Sequence, residues 1–189
     1  MVIIVEGVDA SGKTTLCDRL VKKMGGVAYA TPPKSFRDER RRRGFIASVE
    51  ESYAFYRNAL IESRREIELL ESSHGVVFVD RYWVSTAATH SARGFTVDES
   101  SLKYLDCSDL TILLRVSPEE QRKRFGVREM SQSDVELASL SAVIDQAFCR
   151  IVRTHCVPHV VIDTSFFSID DVLNQALDMI VRKQKGALV

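Results

Sequence analysis

Gly7-Val8-Asp9-Ala10-Ser11-Gly12-Lys13-Thr14 fits the spacing GxxxxGK followed by Ser or Thr, without a gap. Triphosphate chemistry needs those residue types in that order. Glycines let the backbone curl until successive N–H groups point inward and form a nest for an anion. A lysine after the second glycine places a cation on the β- and γ-phosphates, and the next hydroxyl can ligate Mg²⁺. Gly7, Asp9, Ala10, Ser11, Gly12, Lys13, Thr14 and Thr15 are therefore the expected binding residues for ATP, with Mg²⁺ on Thr14. A β-branched run, Val2-Ile3-Ile4-Val5, leads into the loop, and an amphipathic stretch with Leu16, Leu20, Val21 and Met24 leads out. A strand and a helix N-terminus thus flank it, the latter adding its positive dipole end. This context outweighs the bland alternative, a Gly-rich turn kept for structure. The loop alone does not separate a kinase from a GTPase, an ATPase or a motor.

Two further constellations narrow the chemistry. Asp80 and Arg81 follow Val76-Val77-Phe78-Val79, at the carboxyl end of an expected strand, where open α/β sheets bind ligands. A carboxylate there can hold a metal's water or accept a proton, and Arg81 can hold a phosphate oxygen. The alternative is an ion pair that only caps the strand. Loop positions Val8 to Ser11 contain no Lys or Arg. Phosphoryl transfer spreads negative charge over the equatorial oxygens, so further cations must come from elsewhere. The basic run Gln121-Arg122-Lys123-Arg124-Phe125-Gly126-Val127-Arg128 can supply them. Arg122 and Arg128 are the preferred pair, on a lid at about residues 122–134 hinged at Gly126. A solvated basic helix face is the competing explanation.

These motifs together resemble one family. Val5 through Thr15 resembles the phosphate loop of thymidylate kinases, and Asp80-Arg81-Tyr82-Trp83-Val84-Ser85 resembles that family's DRY-x-x-S motif. Asp109-Leu110-Thr111 through Arg128 is similar to its strand, proline-started helix and arginine-bearing lid. The resemblance runs from residue 2 to about residue 165. It implies an ATP- and Mg²⁺-dependent kinase that phosphorylates a nucleoside monophosphate, dTMP first, and a homodimer packed through helices. By the same resemblance Lys13, Asp80, Arg81, Arg122 and Arg128 serve catalysis, and Arg81 and Ser85 lie against the acceptor. Asp9 touches the acceptor's sugar hydroxyl, and Glu6 lies near the metal with Thr14 and Asp80. The turn at Asp163-Thr164-Ser165 cradles the adenine, unless it is only a turn before the last helix. No protein nucleophile is implied, because the acceptor phosphate is itself the nucleophile.

The acceptor side departs from the family's pattern. A long helix from Ala47 to Ser72 carries Phe55, the first choice for a ring stacked on the base, and Tyr56, the second. Core packing is the alternative for both. The family places an arginine four residues after that ring, but this chain has Ala59. The arginine usually close to a proline after the second strand has only a late equivalent, Arg37. Where the family carries Ala-Tyr-Gln, this chain has Ala88-Thr89-His90, with the smaller Thr89 beside the sugar. A nucleoside or a modified or polymeric nucleotide therefore stays open as acceptor. So does a non-catalytic nucleotide- or nucleic-acid-binding protein. The run from Arg37 to Arg43 suits a polyanion, but Asp38 and Glu39 partly neutralise it and a solvated loop is preferred, so nucleic acid is not expected.

The elements that must position these residues alternate. Val2–Val5, Val27–Tyr29, Val76–Val79, Leu110–Val116 and Val160–Ile162 are short, Val- and Ile-rich runs, as strands buried on both faces should be. Helix-length segments separate them. The expectation is an α/β protein: a three-layer P-loop kinase fold, with a five-stranded parallel sheet, helices on both faces and a small lid, in one domain over residues 1–189. Gly25-Gly26 ends the first helix. Thr31-Pro32-Pro33 leaves an extended loop after the second strand. Ser117-Pro118-Glu119-Glu120 combines an N-cap, a first-turn proline and a capping-box Glu. Twenty-six basic residues balance twenty-six acidic ones, so anion binding must come from local clusters. Four cysteines without CxxC spacing and four histidines without ligand spacing suggest no zinc site. With no signal peptide and no apolar run near the ~18 residues a membrane span needs, a cytoplasmic protein is expected.

Overall fold

In the computed structural model, which describes residues 1–43, 48–126 and 132–186, the Val- and Ile-rich runs become strands of one parallel sheet. They are β1 (Val2–Gly7), β2 (Val27–Ala30), β3 (Val77–Asp80), β4 (Leu110–Arg115) and β5 (His159–Asp163), in the order β2-β3-β1-β4-β5. Helices α1 (Lys13–Met24), α2 (Lys34–Arg43), α3 (Val49–His74), α4 (Trp83–Ala92) and α5 (Glu99–Lys103) precede β4. Helices α6 (Pro118–Phe125), α7 (Gln132–Ser139), α8 (Ser141–Thr154) and α9 (Ile169–Gln184) complete the described chain.

The period-2 alternation of the strands sorts their side chains between two cores. Val2 and Ile4 of β1 pack with Val77 and Val79 against α3, α4 and α8, in a layer holding Leu60, Trp83 and Phe148. Ile3 and Val5 pack with Phe78 on the opposite face, against Leu16 and Leu20 of α1 and Ala176 and Ile180 of α9. Phe148 is fully buried, so Phe148→Ala should cost about 3–5 kcal/mol. The same alternation sets the functional ends of the strands. Glu6 follows Val2 and Ile4 toward α4, while Asp80 follows Phe78 toward α1.

Helix starts carry local caps. Ser48, Ser117 and Ser168 each accept a backbone N–H from the third residue on, and Ser168 with Asp171 forms a full capping box. One expectation is corrected. The arginine run after Thr31-Pro32-Pro33 is helical, on α2, and not a solvated loop. The prolines delay the helix by only a few residues: Pro33 O accepts from Arg37 N at 3.0 Å, the first helical bond. Arginine is a good helix former, and Lys34 pairs with Asp38 at i,i+4.

Candidate active site

The phosphate loop is a backbone structure that its glycines permit. Gly7 sits at φ 142°, where a Cβ would lie 2.2 Å from Leu114 O on the neighbouring strand. Gly12 caps α1 at φ 96°. Ser11 is fully buried, and its Oγ has no hydrogen-bond partner among the described residues. Lys13 is also buried, and its Nζ donates to Val8 O at 2.7 Å. Burial first, and the nearby Arg81 second, lower the Lys13 pKa to about 7. Above the loop opens a cavity of about 680 Å³, lined by residues 9–16 and, across from them, by Arg124, Thr164 and Phe167. The partnerless Ser11 hydroxyl, the folded-back lysine and the size of the cavity fit a nucleoside triphosphate.

Asp80 and Arg81 meet this loop because β1 and β3 are neighbours, with Val5 in register with Asp80. Asp80 Oδ2 accepts from Thr14 Oγ1 at 2.5 Å. A hydroxyl and a carboxylate side by side fit Mg²⁺, which takes few protein ligands and keeps several waters. No cluster of three or more His, Cys, Asp or Glu that could hold a metal occurs among the described residues. Arg81 adopts a left-handed backbone, φ 67°, which is uncommon for a residue with a side chain. Two bonds hold it there: its N–H donates to Val5 O at 3.0 Å, and its carbonyl accepts from Thr31 Oγ1 at 2.9 Å. Its guanidinium forms an ion pair with Asp9 through Nη2, and Nη1 lies 3.3 Å from both Gly7 O and Ser85 Oγ.

Glu6 was expected near the metal, and its placement differs. Its Oε1 accepts from the backbone N–H of Tyr82 at 3.0 Å and of Ser85 at 3.1 Å, and its Oε2 accepts from the Ser85 hydroxyl. Both oxygens are therefore engaged by the start of α4, on the sheet face opposite Asp80. Burial raises its pKa, against these hydrogen bonds.

The lid also differs in its residues. Arg128 lies outside the described residues, and Arg122 is exposed on α6. Gln121 and Arg124 make the contacts instead. Gln121 Nε2 donates to Asp9 O at 2.8 Å, and Arg124 Nη1 donates to Ala10 O at 3.0 Å and to Thr164 Oγ1 at 3.1 Å. Arg124 Nη2 adds a 2.7 Å bond to Thr164 O. Helix phase explains the exchange. Ser117 and Pro118 fix where α6 begins, and Gln121, Arg124 and Phe125 then share one face at i, i+3 and i+4. Phe125 is buried, so that face points inward. Thr164, expected at the adenine turn, is buried and bonded through its N–H to Arg115 O at 2.8 Å.

On the acceptor side the two candidate rings are half-buried and packed on aromatic neighbours. Phe55 meets Phe36 edge-on at 5.3 Å and Tyr56 at 5.5 Å. Tyr56 faces His90 at 5.7 Å, and its hydroxyl accepts from Arg40 Nη1. His90 is 2% exposed, with Nδ1 2.8 Å from Thr86 O and Nε2 3.1 Å from Ser52 Oγ. A carbonyl can only accept, so Nδ1 carries the proton and Nε2 accepts from Ser52. Burial lowers the His90 pKa and keeps the ring neutral. Arg37 donates to Ala30 O at 2.9 Å and Pro32 O at 2.7 Å, bracing the loop after β2. Ala59 is buried. Sequence reasoning missed Arg40, Ser52 and His90, whose proximity arises only when α2, α3 and α4 pack.

The chain is similar to known proteins over most of its length. The thymidylate kinase family model matches residues 5–175. A probable thymidylate kinase of Archaeoglobus fulgidus is 34% identical over 145 residues, 68% of this chain and 70% of that protein. A thymidylate kinase of Leptospira borgpetersenii is 30% identical, over 79% of this chain and 80% of its own length. The fold matches the thymidylate kinase of Candida albicans with a TM-score of 0.81 at 23% identity, covering 100% of this chain and 94% of the other. Among the described residues, no helix is long and apolar enough to cross a membrane.

Proposed function

The chain belongs to the thymidylate kinase family, and on that premise we propose that it transfers the γ-phosphate of ATP to a nucleoside monophosphate, with dTMP the first acceptor. One observation carries the reading at residue level: Lys13, the Thr14–Asp80 pair and the Asp9–Arg81 pair converge at the end of β1.

Each group has a task in that reaction. The loop amides and Lys13 bind the triphosphate, Lys13 leaving Val8 O for the β- and γ-oxygens. Thr14 and Asp80 would hold Mg²⁺, and the metal would supply charge neutralisation to the triphosphate. Arg124, seated between the loop and Thr164, closes the adenine end and supports the loop from outside. Arg81 turns its Nη2 edge from Asp9 to the acceptor phosphate, freeing Asp9 for the sugar hydroxyl. An oxygen of the acceptor phosphate then bonds to the γ-phosphorus as the bond to the β,γ-bridging oxygen breaks, and ADP departs. The attacking oxygen is already anionic, so no protein base is required. One domain over residues 1–189 with a lid at about 122–134, a cytoplasmic setting and a helix-packed homodimer belong to the same proposal.

The test is transfer of label from γ-labelled ATP across nucleosides, all common nucleoside monophosphates and DNA ends. Transfer to dTMP ahead of the others is expected. ATP binding without transfer to any acceptor would overturn the proposal. A different best acceptor is the second reading; the buried Ala59 and the engaged Arg37 favour it, because neither offers a cation to the base.

A further inference from the structure

Glu6 is a fully buried carboxylate in a strand otherwise built of Val, Ile and Gly. Burying such a group is costly unless it is well bonded. The bonds it makes all go to one place. Tyr82 N–H, Ser85 N–H and the Ser85 hydroxyl converge on it, so the first turn of α4 is tied to the end of β1. The Ser85 oxygen has a second role: it accepts from Arg81 Nη1 at 3.3 Å while its hydrogen goes to Glu6. Arg81 Nη1 is thereby fixed inward, on Ser85 and Gly7 O, and Nη2 is the edge that reaches Asp9 at the mouth of the acceptor side.

We propose that Glu6 is a positioning residue for the acceptor phosphate: through Ser85 it fixes the inner edge of the Arg81 guanidinium and so presents Nη2 to the acceptor. The inference rests on the kinase reading. It moves Glu6 from the metal to the opposite substrate and assigns Ser85 to Arg81 in preference to direct substrate contact. Arg81, with its left-handed backbone, stands just before α4, which starts at Trp83, and this places the Ser85 hydroxyl in the first turn of that helix within reach of the guanidinium. A strut that served only folding would affect donor and acceptor alike. A brace on one edge of Arg81 affects the acceptor alone.

The experiment combines Glu6→Gln, Ser85→Ala and the double variant. Acceptor KM and kcat are measured with dTMP, ATP affinity by titration, and the Arg81 guanidinium by ¹⁵N NMR of the nucleotide-free protein. Gln keeps one carbonyl acceptor for the two N–H groups but cannot accept the Ser85 hydroxyl on its amide nitrogen. Each single variant should raise acceptor KM or lower kcat about 10–100-fold, the size seen when an outer partner of a functional group is lost. ATP affinity should be unchanged, and the double variant should be no worse than the worse single one. Two resolved Arg81 Nη resonances in the wild type should merge in both single variants. Additive losses, an equal loss of ATP affinity, or wild-type kinetics in E6Q would overturn the proposal. If E6Q fails to fold, S85A decides: acceptor KM and kcat both unchanged refute the brace. A wild-type protein that transfers phosphate to no monophosphate would instead refute the kinase reading, and the Arg81 resonances would still report on Glu6.

Discussion

The phosphate grip of the donor half is built from one stretch of chain, and the acceptor half from four. Residues 7 to 15 form a nest on their own backbone, and one strand neighbour completes it with Asp80. The acceptor half needs α2, α3, α4 and the β2–α2 loop to arrive together, through pairs 16 and 38 residues apart such as Arg40–Tyr56 and Ser52–His90. A local site tolerates little variation, because each backbone angle serves the phosphates directly. An assembled pocket can exchange side chains between its walls while the walls stay put.

The largest expected effect falls on the donor half. Lys13→Ala removes the cation held inside the loop, and kcat should fall about 10²–10³-fold, as when a preorganised charge partner of a transition state is lost. ATP affinity should weaken while acceptor affinity holds. Near-normal turnover in K13A would break the assignment of the loop. Arg81→Ala should reverse the pattern, with turnover or acceptor affinity lost about tenfold or more and ATP binding spared. If both variants injured both substrates equally, the two halves would not be separable units.

The two halves differ in legibility for the same physical reason. Gly7, Gly12, Lys13 and Thr14 stand at fixed spacing because a single loop must make the nest, so the string of residue types carries the geometry. Asp80 was placed by its position at a strand end. The α6 contacts fall on a different helical face from Arg122: Arg122 and Arg124 are both basic, and the buried Phe125 and the cap at Ser117 show which one points inward. The family resemblance puts Glu6 near the metal, whereas the alternation of β1 sends it to the far face, onto the start of α4. Phe55 and Tyr56 were legible as rings. Their neighbours Arg40, Ser52 and His90 were not, since nothing in their spacing anticipates how three helices converge.

A pH series sharpens the donor half. Burial and Arg81 hold the Lys13 pKa at about 7 in the nucleotide-free protein, while a bound polyphosphate favours the ammonium form. ATP binding therefore takes up a proton near neutrality, and affinity declines as pH rises through 7. Between pH 6 and pH 8 the dissociation constant should weaken about tenfold by linkage. Calorimetry in buffers of different ionisation heat should register proton uptake at pH 8, and K13A should lose it. A flat profile in the wild type would show that Lys13 is charged throughout.

A smaller contrast lies within α6. Arg124→Ala removes three bonds to Ala10 and Thr164, so KM for ATP should rise roughly five- to tenfold, in line with about 1 kcal/mol or slightly more for lost hydrogen bonds of a charged group. Arg122 makes none of these contacts, and Arg122→Ala should stay within about twofold of wild type, as exposed charges generally do. Equal effects would mean that the exposed face of α6 also closes on the donor.

The smallest effect tests the acceptor wall. Along α2, Phe36 and Arg40 lie one turn apart and face α3, where Phe36 meets Phe55 and Arg40 meets the Tyr56 hydroxyl. Arg41 points outward, 83% exposed, with a 3.9 Å approach to Asp38. If the wall facing α3 belongs to the acceptor, Arg40→Ala should raise acceptor KM about three- to fivefold through the disturbed Tyr56, a loss near 1 kcal/mol for one hydrogen bond. Arg41→Ala should leave it unchanged. Steady-state kinetics with ATP saturating and the monophosphate varied measures both. Should R41A match R40A, the arginine run would act through its summed charge rather than through one placed side chain, and raising the ionic strength would erase the effect of both. Should only R40A respond, and persist at high salt, then α2 supplies the acceptor side with a cation that α3 lacks at Ala59.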